Sequence, residues 1–196
     1  MAVLEFFYDF VSPYSYLASE RVEELARRTG ALLRLRPFLL GGVLKATGNQ
    51  APVETPAKYR HLKVDLERWS RRLGVPLNFP AAHPFSTVLA MRCALAAAAK
   101  GLVVPFTHAA FRAAWAEGLD LTRPEVLALV ASRAGADGPA LVASAPAYKE
   151  TLLAETEGAV KRGAFGAPTF FVGEEMFVGN DRLDFVEEAL RHASGA

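Results

Sequence analysis

The stretch FFYDFVSPYSYLASERVEELARR, Phe6 to Arg28, constrains the fold more than any other part of the chain. Val3 to Phe10 is apolar and aromatic enough for a buried strand. Tyr16, Leu17, Val22, Leu25 and Ala26 then recur at helical spacing. Between the two sits Ser12-Pro13. Serine is a good N-cap, and proline suits the first helical position because its missing N–H would have no partner there. The pattern predicts strand Val3–Phe10 and helix Pro13–Thr29, stopped by Gly30. LLRLRPFLL follows as a second strand, Leu32 to Leu39, with Arg34 and Arg36 on one face. A β-α-β unit this early implies a parallel pair with a helical crossover. The Ser12 hydroxyl therefore stands where the free N–H groups of a helix end welcome an anion.

GGVLKATGNQAPVETPAKYRHL, rich in glycine and proline, reads as a long loop, of a length that is usually either functional or disordered. Helical patterns then dominate from residue 56 to residue 157. AKYRHLKVDLERWSRRLG lines up Leu62, Leu66, Trp69 and Leu73 on one side. STVLAMRCALAAAAKG, VVPFTHAAFRAAWAEG and RPEVLALVASRAG are three more helices, each closed by glycine, and APAYKETLLAETEGAVKRG makes another. APTFFVGEEMFVG returns to strand pattern as a hairpin around Gly173-Glu174-Glu175, and a terminal helix runs from Asp181 to His192.

The formal charge of +1 gives no field of one sign to attract nucleic acid or an anionic membrane, and no apolar run reaches spanning length. The start of the chain has no basic region followed by an apolar core, so a cytoplasmic protein is expected. One cysteine, Cys93, excludes an intramolecular disulfide and any two-cysteine redox centre, and its apolar helix makes it a buried small hydrophobe. His61, His83, His108 and His192 show no metal-ligand spacing, so no metal is expected.

FYDFVSPYSYLA, GAFGAPTFFV and MFVGNDRLDFVEEAL resemble the corresponding segments of 2-hydroxychromene-2-carboxylate isomerases and kappa-class glutathione transferases, relatives of the DsbA disulfide oxidoreductases. The resemblance runs from Leu4 to about Leu190. It implies an α/β, thioredoxin-like fold with an inserted all-helical domain: residues 1–55 and 158–196 thioredoxin-like, residues 56–157 the insertion. Where the oxidoreductases carry CxxC, Ser12 to Ser15 stand here, and serine cannot form a mixed disulfide.

The resemblance further implies glutathione as cofactor, with Ser12 the catalytic group that donates a hydrogen bond to its thiolate. The competing role of Ser12 is a cap turned toward its own helix. The Ala167 backbone would pair with the cysteinyl part of the tripeptide as an added strand, facing outward if the bond before Pro168 is cis, an isomer the sequence leaves open. Gly179, Asn180, Asp181 and Arg182 match the part of the site that holds the γ-glutamyl end, although Asn180 or Asp181 equally well caps the terminal helix. Asn49 and Lys58 are matched to glutathione, Lys58 to its glycyl carboxylate, and Lys45 to the carboxylate of an acidic substrate. Tyr14, with Tyr8 and Phe10, would wall an aromatic pocket or simply be core. The implied activity is conversion of 2-hydroxychromene-2-carboxylate, a small aromatic carboxylate, to trans-o-hydroxybenzylidenepyruvate in aromatic-compound degradation, by a homodimer. The alternatives are a kappa-type transferase acting on electrophiles and a non-catalytic thioredoxin-fold binding module.

Overall fold

The computed structural model describes residues 1–80 and 82–195. β1 (Val3–Tyr8) leads into α1 (Pro13–Thr29), and β2 (Leu32–Pro37) returns beside β1. There follow α2 (Leu40–Thr47), α3 (Pro56–Leu73), α4 (Val88–Ala98), α5 (Val103–Trp115), α6 (Pro124–Arg133) and α7 (Gly138–Ser144). After α8 (Lys149–Lys161) come β3 (Thr169–Val172), β4 (Glu175–Val178) and α9 (Leu183–Gly195). The strands lie in the order β2-β1-β3-β4, with β1 parallel to β2 and antiparallel to β3. The parallel pair and the β3–β4 hairpin are those expected from the sequence. Among the described residues, no helix is long and apolar enough to cross a membrane.

β1 is central, and its alternation feeds two cores. Leu4, Phe6 and Tyr8 join the main one, while Phe7 packs with Phe38, Val43, Ala159, Ala164 and Phe171 on the other face. Phe6 stacks on Phe170 at 5.1 Å, and Phe7 meets Phe171 edge-on at 5.6 Å. Each such ring contributes about 1.5–3 kcal/mol by leaving water. Tyr8 and Phe10 belong to this interior and do not wall a pocket. Both are fully buried, Tyr8 sharing a 2.7 Å hydrogen bond with Thr107 and the Phe10 carbonyl accepting from Trp115 Nε1 at 2.8 Å.

Five elements differ from the sequence expectation. β1 ends at Tyr8, before Phe10, because the Asp9 carboxylate takes the amides of Val11 and Leu40 and so replaces ladder bonds. β2 likewise stops at Pro37, before Leu39, whose N–H is taken by the Thr156 hydroxyl. The glycine-rich stretch read as loop contains α2. Gly41 and Gly42 weaken it, but a Cβ at Gly42 would stand 3.1 Å from Thr156 Cγ2, and Val43 is buried, so packing against α8 overrides propensity. The terminal helix starts at Leu183 after a 3-10 turn, Asn180–Arg182, and not at Asp181. The short α7 has no counterpart in the sequence reading. It crosses α6 so closely that a Cβ at Gly138 would lie 2.1 Å from the Ala128 carbonyl oxygen. The domain boundary expected between residues 157 and 158 lies inside α8.

Candidate active site

A cavity of about 730 Å³ opens just beyond the end of β1. Its wall is assembled from Ser12 to Tyr14 at the start of α1, the first turns of α2, residues 49–53, Lys58 and Leu62 of α3, residues 83–88, residues 165–167 and Gly179. The size lies in the range of about 300–1,000 Å³ typical of small-molecule sites.

Ser12 caps α1 as expected: its Oγ accepts the Ser15 N–H at 3.1 Å. It is only 4% exposed, yet it lines the cavity. The cap bond uses an acceptor position on the oxygen and leaves the proton free of the helix. That proton is given to the Ala167 carbonyl at 3.0 Å. Cap and donor therefore do not compete. A hydroxyl rotates its hydrogen without moving its oxygen, and an accepted N–H polarises the O–H into a better donor. No acidic residue stands in the first turn of α1, so nothing within the helix itself offsets its positive end where Ser12 faces the cavity.

Ala167 also lies on the wall, and the Ala167–Pro168 bond is cis. The Ala167 N–H has no hydrogen-bond partner among the described residues. Pro168 is buried behind it, its carbonyl accepting the Gly179 N–H at 3.0 Å. Gly179, at φ 106°, completes this side. Asn49 reaches the wall too, its Nδ2 donating to the Phe165 carbonyl at 2.8 Å. Lys58 is exposed at the rim. Tyr14 lines the cavity and donates its hydroxyl to Asp65 Oδ2 at 2.8 Å. Burial, then that carboxylate, raise its pKa, so it stays a neutral phenol.

The structure thus gathers Ser12, Tyr14, Asn49, Lys58, Ala167 and Gly179, and it leaves five other expected residues off the wall. Lys45 is exposed on the last turn of α2. Asp181 and Arg182 are exposed and paired with each other at 3.6 Å. Asn180 is 3% exposed, its carbonyl accepting from Arg21 at 3.1 Å and its Nδ2 buried without a partner among the described residues. Pro168 is the fifth. Two ionisable wall residues escaped the sequence reading: Asp9, a lone carboxylate in an aromatic strand, and His83, flanked by Ala82 and Pro84. A charge amid apolar neighbours was the signal for Asp9. Nothing local distinguished His83. Cys93 lies in the core, and burial pushes its thiol up to about 12, which removes it as a nucleophile.

The chain matches the DSBA-like thioredoxin domain over residues 3–191. It is 39% identical over 193 residues to the 2-hydroxychromene-2-carboxylate isomerase of Sphingobium xenophagum, covering 95% of this chain and 97% of that one. The chain belongs to the DSBA-like thioredoxin family and, within it, to the 2-hydroxychromene-2-carboxylate isomerase family. The isomerase of Pseudomonas putida, 35% identical over 195 residues, covers 96% of this chain with 94% of its own length. A solved 2-hydroxychromene-2-carboxylate isomerase superposes with a TM-score of 0.89 at 33% identity, over 98% of this chain and 96% of that one. Human glutathione S-transferase kappa 1 is 29% identical over 205 residues, 95% of this chain and 90% of its own. The fold of this isomerase-family member is therefore the thioredoxin fold with helical additions expected from its sequence.

Proposed function

We propose that the protein isomerises 2-hydroxychromene-2-carboxylate to trans-o-hydroxybenzylidenepyruvate with glutathione as cofactor, in the breakdown of aromatic compounds. The observation that carries this is the Ser12 hydroxyl, with its proton free of the helix, on the wall of a mainly apolar cavity at a helix N-terminus. The residues present fit the tripeptide. The Ala167 N–H, without a protein partner among the described residues, suits strand-like pairing with a peptide. Lys58 at the rim suits a carboxylate, Asn49 adds an amide, and Gly179, the wall residue of the Gly179–Arg182 segment, is assigned the γ-glutamyl end. When bound, glutathione would supply a nucleophilic thiolate that is not consumed. Ser12 would hold that sulfur by giving it the O–H now donated to Ala167, and the α1 dipole would favour the negative charge. Leu40, Phe85 and Phe165 give the aromatic ring an apolar bed and exclude water. Lys45, off the wall, is given no part in this scheme. The kappa transferase relative supports the glutathione site. The proposed setting is the cytoplasm, where thiols are kept reduced, and the proposed assembly is a homodimer.

The test is turnover of the chromene followed by ultraviolet absorbance with and without glutathione, alongside glutathione binding by calorimetry. Isomerisation that needs glutathione in catalytic amounts is expected. Conjugation of chloronitrobenzene without isomerisation would transfer the site to the kappa-type reading. An intact fold that binds no glutathione would leave a binding module.

A further inference from the structure

Ser12 is held in place through Val11, whose two backbone polar groups are both taken by side chains from elsewhere. The Val11 N–H donates to Asp9 Oδ1 at 3.1 Å. The Val11 carbonyl accepts from His83 Nε2 at 3.0 Å, across 72 residues of sequence. That carbonyl and the Ser12 N–H share one rigid peptide plane. The Ser12 N–H donates to the Asp9 carbonyl at 3.0 Å, so the plane is pinned at both edges. Asp9 Oδ2 also accepts the Leu40 N–H at 2.8 Å, which ties the start of α2 to the same point.

The chemistry of each partner suits a fixed support. A carbonyl only accepts, so His83 Nε2 carries the hydrogen and Nδ1 is bare. Nδ1 is buried and has no partner among the described residues. Burial lowers the His83 pKa against the raising effect of the Val11 bond, which keeps the ring neutral in this tautomer. The ring is itself braced edge-on by Phe79 at 4.9 Å and by Trp115 at 5.5 Å. Asp9 is 1% exposed; burial raises its pKa, and the Thr87 side chain with the Leu40 and Val11 N–H groups opposes that rise only in part. Both residues line the cavity that Ser12 faces.

We propose that His83 and Asp9 are positioning residues for Ser12: they lock the Val11–Ser12 peptide so that the hydroxyl stays on the cavity wall. Only the kinetic arm of the test rests on the proposed glutathione chemistry. The structural arm is amide hydrogen exchange by NMR on the unliganded protein, comparing wild type with His83→Leu and His83→Gln. Leucine deletes the donor, and exchange at Val11, Ser12 and Ser15 is expected to speed by about five- to tenfold, the worth of one hydrogen bond. Glutamine carries a terminal N–H at similar reach, and it is expected to restore most of the protection, while Phe6 and Leu17 stay unchanged in both variants. In turnover, His83→Leu should lose kcat by a similar factor, with KM for glutathione moved by less than about twofold. Asp9→Asn serves as a second variant, read by the same exchange. Wild-type exchange at Val11 and Ser12 in His83→Leu, or a glutamine variant no better protected than leucine, overturns the proposal. If wild type fails to turn over the chromene, the proposed function falls, and the exchange result still decides this one.

Discussion

The two walls of the cavity are built by different means. Around Ser12, Ala167 and Gly179 the wall is backbone, set by hydrogen bonds such as Ser12 to Ala167 and Gly179 to Pro168, both at 3.0 Å. The part supplied by α2, α3 and residues 83–88 is mainly side chain: Leu40, Leu62, Phe85 and Val88. Hydrogen bonds are directional and apolar contact is not. The first wall can fix the position of one reacting atom to a fraction of an ångström. The second can only select what fits, and it tolerates related shapes. A family sharing one chemistry and differing in substrate would vary the second wall.

The sharpest way to break this contrast is Ser12→Ala. Removing a donor aimed at a reacting anion costs about 10²–10³-fold in turnover. Glutathione affinity, spread over several contacts, should change by less than about tenfold, and loss of the cap should cost about 1 kcal/mol in urea denaturation. A variant turning over at the wild-type rate would leave the backbone wall without a chemical role. Next in size is Gly179→Ala. At φ 106° a side chain is strained, and its Cβ would stand 2.6 Å from Asp181 Oδ1. A loss of about 1–3 kcal/mol is expected by denaturation. An unchanged midpoint would show that this wall yields more easily than its bonds suggest.

How far the sequence could be read follows the same division. The α1 cap was legible because Ser12, Pro13 and Ser15 are neighbours in the chain and the cap is a local device. The hairpin was legible for the same reason. The bonds that assemble the cavity join residues 155, 116 and 72 positions apart, Ser12 to Ala167, Asn49 to Phe165 and His83 to Val11. No local pattern announces such pairs. Resemblance pointed to Ala167 and Asn49 because whole segments matched, but it was silent on His83. α2 was missed because packing against α8, remote in sequence, supports it, whereas its own helix propensity is weakened by Gly41 and Gly42.

Two lysines sharpen the comparison at the rim. Lys58→Met should weaken glutathione binding by about tenfold, the worth of a hydrogen bond to a charged group, and leave kcat almost unmoved. Lys45→Met, on the exposed end of α2 and off the wall, should move kcat/KM by less than about twofold. Calorimetry and initial rates on the two variants separate the cases. A large loss at Lys45 with none at Lys58 would mean that the rim closes differently once a ligand is bound.

The smallest expected effect concerns sulfur. The thiol chemistry proposed for this fold comes from a bound cofactor at the backbone wall, whereas the chain's own thiol, Cys93, sits fully buried in α4. Burial pushes it up to about 12. At pH 8 a thiol with that pKa is roughly one part in ten thousand thiolate, the only form that reacts with an alkylating agent. Iodoacetamide should therefore leave the native protein unlabelled by mass spectrometry, with activity intact, and should label it fully in urea. Rapid labelling of the folded protein with parallel loss of turnover would place a reactive sulfur within the chain itself, and the serine-lined wall would no longer be where the chemistry happens.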